Sequence, residues 1–236
     1  MTVDYINILL HTLGDNSDPA KHTVIGQYLV NRTNFMLTGH SSLLTQHLAP
    51  IAQDNQRLLV AGGSSRASIY SNRPYAFGIL PPGHLFLEQA LKGVAAHGAR
   101  TVASIAEEGL ELICDGVPDL TATYGLQLIN STGVSADPSL DELSGVANGM
   151  AQYDPDVVVL CTFDGGCARW IEAMRERNWS PKAQIFTICI ELNELEQQAG
   201  LDAAYMMGAC SWDKNLPPIP DAVTSWTPGD FAQHFE

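Results

Sequence analysis

Apolar residues in this chain come in short runs that end in small or polar residues, and apolar positions at helical spacing follow each run. The stretch 35–65 shows the unit most plainly. Phe35-Met36-Leu37-Thr38 is a strand pattern that ends in Gly39-His40-Ser41-Ser42. Leu43, Leu44, Leu48, Ile51 and Ala52 then mark one face of a helix. Arg57 to Ala61 reads as the next strand, and Gly62-Gly63-Ser64-Ser65 as its exit. Both serine pairs therefore fall where a strand gives way to a loop or helix. They are ordinary helix caps, or, because N–H groups at a helix start are unpaired and the dipole is positive there, they hold an anion.

The same alternation runs through the rest of the chain. Strands are expected at 5–10, 75–80, 101–106, 126–129, 157–161, 184–190 and 205–210. Helices are expected at 19–30 (with Asp18 as N-cap, Pro19 at the first helical position, and Ala20, Val24, Gly26 and Leu29 among its inward candidates), 84–98, 110–124, 139–153 and, after an exit turn at 162–166, on to Arg177, with another opening at 227–231. Pro118 is positioned to kink or shorten the helix it lies in. Val157 to Cys161, apolar throughout, suits a strand buried on both faces of a parallel sheet. Alternating strands and helices predict an α/β fold, and Pro81-Pro82-Gly83 marks a boundary. The expectation is two doubly wound parallel-sheet lobes. Ligands of such sheets bind outside the carboxyl ends of the strands.

A chain of 236 residues, 45% of them apolar, is long enough for two lobes of roughly 100 residues each. The net charge of −14 argues against nucleic acid and anionic membranes as partners. No run reaches the ~20 apolar residues of a membrane span, and no export signal is read at the start. Cys114, Cys161, Cys167, Cys189 and Cys210 show no C-x-x-C pairing, and three of them lie in or beside apolar strands, where buried free thiols are expected; a Cys161–Cys167 bridge is disfavoured because the intervening turn separates their directions. The seven histidines show no metal-ligand spacing, so no metal and no cofactor is expected. The sequons at Asn31, Asn130 and Asn178 matter only in a eukaryotic secretory pathway.

Several stretches, in order, resemble the type I periplasmic binding proteins of the leucine/isoleucine/valine-binding kind, which are related to receptor ligand-binding domains. They are Asp15-Asn16-Ser17-Asp18-Pro19-Ala20, Gly39-His40-Ser41-Ser42, Leu48-Ala49-Pro50-Ile51-Ala52, Tyr75-Ala76-Phe77-Gly78-Ile79, Asp154-Pro155-Asp156-Val157-Val158-Val159, and Trp226-Thr227-Pro228 with Phe231. The resemblance implies a two-lobed clamp that binds a small solute, often an amino acid, without catalysis, as an ABC-transporter solute-binding protein or receptor sensor domain outside the cytoplasm. It implies residues 1–81 plus 212–236 as the first lobe and 82–211 as the second. Ser41 or Ser42, with Gly63, Ser64 and Ser65, would hold the ligand's α-carboxylate and α-amino group from the first lobe. Loops at Glu107-Glu108 and Phe163-Asp164 would approach from the second, with Glu108 and Asp164 as the candidates to pair an ammonium, and with Glu191 and Trp212 at further strand exits.

Two departures from the family pattern stand out. Glu108-Gly109 occupies the place of the family's usual tyrosine-glycine pair. The chain is also expected to begin at the family's second strand and to stop before its last elements, as a fragment of a longer gene product would. That leaves the first lobe incomplete and the strands at Ile6 and Phe35 without a shared neighbour. Competing readings are an α/β enzyme with Cys161 or Cys167 as nucleophile and His40 or His84 as base, and a vestigial domain without ligand.

Overall fold

The computed structural model describes residues 11–39, 41–189, 200, 206–208, 217–220 and 224–235. The chain divides into two compact units, Met1–Pro82 and Gly83–Glu236; the second takes in residues 212–236, which the resemblance assigns to the first lobe. The expected strand at 5–10 lies outside the described residues.

The first unit contains α1 (Pro19–Val30), β1 (Phe35–Thr38), α2 (Ser42–Asp54), β2 (Leu58–Ala61) and β3 (Ala76–Gly78). The Asp18 carboxylate accepts the N–H groups of Ala20 and Lys21, and Pro19 opens α1 as expected. The inward face of α1 differs from the expected Ala20, Val24, Gly26 and Leu29. His22, Gly26 and Val30 are buried and Val24 is exposed. Helix contact sets this phase: a Cβ on Gly26 would meet Leu48 Cδ2 at 2.4 Å, so α2 crosses α1 at a residue without a side chain. His22 turns inward to pair with the buried Asp15. The three strands run parallel in the order β1-β2-β3. One face of the sheet, with Met36, Leu59 and Ala76, packs with Val30, Leu48 and Ala52 into a single core.

The second unit contains α3 (Glu88–Ala96), β4 (Thr101–Glu107), α4 (Glu111–Cys114), α5 (Val117–Thr123), β5 (Gln127–Val134), α6 (Leu140–Tyr153), β6 (Val157–Cys161), α7 (Asp164–Arg177), β7 (Ala183–Phe186), β8 (Met206–Gly208) and α8 (Pro228–Phe235). Its parallel sheet has the order β5-β4-β6-β7-β8. β6 is buried at every position, as its apolar run predicts. One core joins this sheet to α6 and α7 through Leu143, Met150, Trp170 and Phe186. A second joins it to α3, α4 and α5 through Leu91, Ile113 and Val159. The sheet is therefore sandwiched between helices, the doubly wound arrangement.

Three expectations shift here. The helix expected at 110–124 is two helices, with Pro118 in the first turn of the second. The break falls at Gly116, where a Cβ would lie 2.0 Å from the His84 carbonyl oxygen, so another backbone segment crosses too closely for a side chain. The strand expected at 126–129 extends to Val134, because β4 pairs with it along its whole length. Four of the cysteines are not free thiols. Cys114 is bonded to Cys161 and Cys167 to Cys189, with Cα separations of 5.9 and 6.5 Å, inside the range disulfides span. Cys114 and Cys161 belong to the core on one face of the sheet, Cys167 and Cys189 to the core on the other. Each thiol meets a sequence-distant partner on its own face, which is why 161 and 167 do not pair. Cys210 lies outside the described residues.

Candidate ligand-binding edges

In the first unit the carboxyl ends of β1 and β2 meet at the serine pairs. Ser41 is the N-cap residue of α2, is exposed, and makes no side-chain capping bond. Ser42 is buried, and its hydroxyl oxygen accepts hydrogen bonds from the Ser64 hydroxyl and from the backbone N–H groups of Ser65 and Arg66, each at 3.2 Å. Ser64 is fully buried, and its carbonyl accepts the Tyr70 hydroxyl at 3.0 Å. The expected residues are thus brought together, but in two roles. Ser42 and Ser64 face inward and fix the β2 exit loop against α2. Ser41, Gly63 and Ser65 stay at least partly open to solvent. The reading of both pairs as ordinary helix caps fails at Ser41, which caps nothing, and at Ser42, which serves the neighbouring loop. Arg66 follows this loop, and its buried Nε has no hydrogen-bond partner.

In the second unit the sheet order reverses between β4 and β6, the switch point at which doubly wound sheets open a crevice. The residues there are Glu107, which ends β4, Glu108, which follows it, and Phe163 and Asp164 at the N-terminus of α7. Glu108 is exposed, and its N–H is spent on the Val134 carbonyl at 3.0 Å. Phe163 is the N-cap residue of α7, with its ring 48% exposed. Asp164 opens α7; its side chain lies outside the described set. Glu191 and Trp212, expected at this edge, also lie outside the described residues.

Of the Glu107-Glu108 pair, the sequence singles out Glu108 and passes over the role of Glu107. Glu107 ends β4 with only 3% exposure, and its two carboxylate oxygens accept the N–H of Asp137 at 3.1 Å and of Phe163 at 2.9 Å. Arg169, one turn into α7, pairs with the Asp137 carboxylate. Asp137 itself has a φ of 53°, in the left-handed region. The available signal was position: Glu107 is the charged residue that ends a strand buried at four of its six preceding positions, so its side chain meets the sheet's carboxyl edge.

A cavity of about 590 Å³ lies at the opposite, amino edge of this sheet, lined by Gly93, Val94, His97, Asp156, Lys182 and Met207 among others. Its charged groups are already matched. Asp156 accepts Lys182 Nζ and the N–H groups of Arg100 and Thr101, and the Lys182 bond foremost holds its carboxyl down at about 2. Among the described residues no cluster of His, Cys, Asp and Glu has metal-binding geometry, and no helix is long and apolar enough to cross a membrane.

The periplasmic binding protein family model matches residues 7–227. The chain belongs to this family. The two parallel sheets are its type I fold. An ABC transporter substrate-binding protein from Desulfitobacterium hafniense superposes with a TM-score of 0.76 at 13% identity, over 94% of this chain and 63% of that one. A substrate-binding protein from the same organism in complex with Leu gives 0.65 at 11%, over 75% and 54%. A solute-binding protein of an ABC transporter from Rhodopseudomonas palustris in complex with 3,4-dihydroxybenzoic acid gives 0.60 at 14%, over 74% and 48%. The chain thus spans between about half and 63% of the length of these periplasmic binding proteins. No curated protein matches the sequence.

Proposed function

We propose that this periplasmic binding protein is a non-catalytic solute-binding domain whose ligand is an amino acid or a related small carboxylate or amide. In this reading it works outside the cytoplasm with an ABC transporter or as the sensor domain of a receptor. The observation that carries the reading is at the first unit's strand exits. There Ser42 fixes the β2 exit loop against the start of α2 and leaves the Ser41 hydroxyl uncommitted at a helix N-terminus beside Gly63 and Ser65. Donors at a helix start suit a carboxylate, and a carboxylate is what Leu and 3,4-dihydroxybenzoic acid, bound by two similar proteins, have in common. In this reading Glu108, Phe163, Asp164, Glu191 and Trp212 are the second unit's candidate ligand contacts.

The cysteine-enzyme alternative loses its support, since the sulfurs of Cys161 and Cys167 are both committed to disulfides. Two disulfides also favour an oxidising compartment. The test is thermal unfolding with L-amino acids, their amides and hydroxybenzoates added in pools. A ligand at 100 times its Kd adds about 2.7 kcal/mol, a shift of a few degrees. A cooperative melt that no pool moves counts against the reading and for a domain without a small-carboxylate ligand.

A further inference from the structure

We propose that Glu107 is the positioning residue of the second unit's ligand edge, holding Phe163 and Asp137 in place by accepting one backbone N–H from each. The functional half of this rests on the reading of that edge as ligand-facing; the structural half does not.

Three observations converge on it. First, α7 is a 14-residue helix whose N-cap, Phe163, provides no side-chain cap, so the open donors at its start need an acceptor from elsewhere. Glu107 Oε2 supplies it across the sheet, accepting the Phe163 N–H. Second, a carboxylate buried this deeply requires compensation. It is found in two backbone N–H bonds and the positive end of α7. Third, the first turn of α7 closes over the same oxygen. A Cβ on Gly166 would lie 3.0 Å from Glu107 Oε2, so a larger residue there would push the helix start away from the carboxylate.

One side chain thus keys three strand exits together: its own, the β5 exit at Asp137 and the β6 exit at Phe163. Asp137 carries Arg169 with it through their ion pair. The carboxylate does not itself face a ligand: it is only 3% exposed, and each oxygen is turned onto a backbone N–H. What it sets is the direction of the exposed Phe163 ring and the place of the Asp137–Arg169 pair at the switch point. Glu108 beside it, exposed and bonded only through its backbone to Val134, is free for the ligand-facing role.

The test is Glu107→Gln. The amide matches the carboxylate in size but turns one acceptor into a donor, so it cannot serve both N–H groups in either orientation. Residue-resolved hydrogen exchange should show the Asp137 or Phe163 amide exchanging at least about tenfold faster, with β6 amides unchanged. L-leucine, titrated into both proteins, should bind the variant at least about tenfold more weakly. Unchanged protection at both amides overturns the assignment. So does loss of the whole unit's fold, seen by circular dichroism, which would make Glu107 a folding residue. Unchanged leucine affinity with altered exchange overturns its functional half. A wild-type chain that ignores leucine counts against the amino-acid reading above, and the exchange comparison still decides the placement of the two loops.

Discussion

The hydroxyls of Ser42 and Ser64 lie 3.2 Å apart, joining the start of α2 to the exit of β2 across 22 residues of sequence. Ser42 is the acceptor for this loop and Ser41, one residue earlier, is not. Ser42→Ala leaves the Ser65 and Arg66 N–H groups without their acceptor and should cost about 1–3 kcal/mol in chemical denaturation. Ser41→Ala should change stability by less than about 0.5 kcal/mol. If Ser41 contacts a ligand carboxylate, the same variant weakens binding roughly tenfold in calorimetry, the worth of one hydrogen bond to a charged group. Equal stability losses in the two variants would remove the distinction.

Features decided within a few residues were legible in the sequence. Asp18-Pro19 needs only its own helix to act as a cap, and Val157 to Cys161 needs only its composition to read as a strand buried on both faces. Features decided by tertiary phase were not. Which serine of the pair turns inward depends on how α2 rotates against β2. Which glutamate of Glu107-Glu108 is buried was hidden because β4 is buried on both faces and shows no alternation from which to count. The inward turn of His22 and the outward turn of Val24 follow from the crossing at Gly26, a contact with Leu48 in another helix. The disulfide partners are 47 and 22 residues apart, and only the layer structure shows which thiols share a face.

The pairing of the cysteines gives a count that needs no ligand. The sequence holds five cysteines. Denatured without reductant, the chain should titrate one thiol, that of Cys210, and five after reduction; five without reductant would refute both bridges. Each bridge should contribute about 3–4 kcal/mol through loop closure. No cysteine lies within residues 1–82, so a reductant should lower the melting of the second unit and leave that of the first unchanged.

Two glycines of the second unit should respond oppositely to alanine. At Gly116 the new Cβ meets a backbone carbonyl, that of His84 at 2.0 Å, and no side chain can move aside to relieve it. Gly116→Ala should destabilise by about 1–3 kcal/mol. Gly145 sits exposed inside α6, and a methyl group added there would have nothing within 4 Å of it. Gly145→Ala should stabilise by about 0.5–1 kcal/mol, chiefly by restricting the unfolded chain. Urea midpoints for the pair test whether Gly116 is set by close approach or merely by sequence drift.

At the amino edge of the same sheet, Asp156 ties β4 and β6 to the start of β7. Its carboxylate accepts the Arg100 and Thr101 N–H groups at 2.7 and 3.1 Å and the Lys182 ammonium, and its own N–H donates to the Thr101 hydroxyl at 2.9 Å. The native carboxyl titrates at about 2 against 3.8 for the free side chain. Above the unfolded value both states are ionised and the stabilisation is complete. As pH falls from about 4 toward 2 the unfolded chain takes up the proton first, and the contribution is progressively lost. Asp156→Asn should lower stability at neutral pH by about 1–2 kcal/mol, because an amide replaces charge-assisted bonds. It should also flatten the acid limb of the stability curve between about pH 4 and 2. The two measurements separate the causes. Lys182 is largely exposed, so raising the salt concentration should screen its share, while the backbone bonds to Arg100 and Thr101 persist. An acid limb that is the same in the variant and the wild type would mean that other carboxylates govern acid unfolding and that Asp156 acts only as a local clasp.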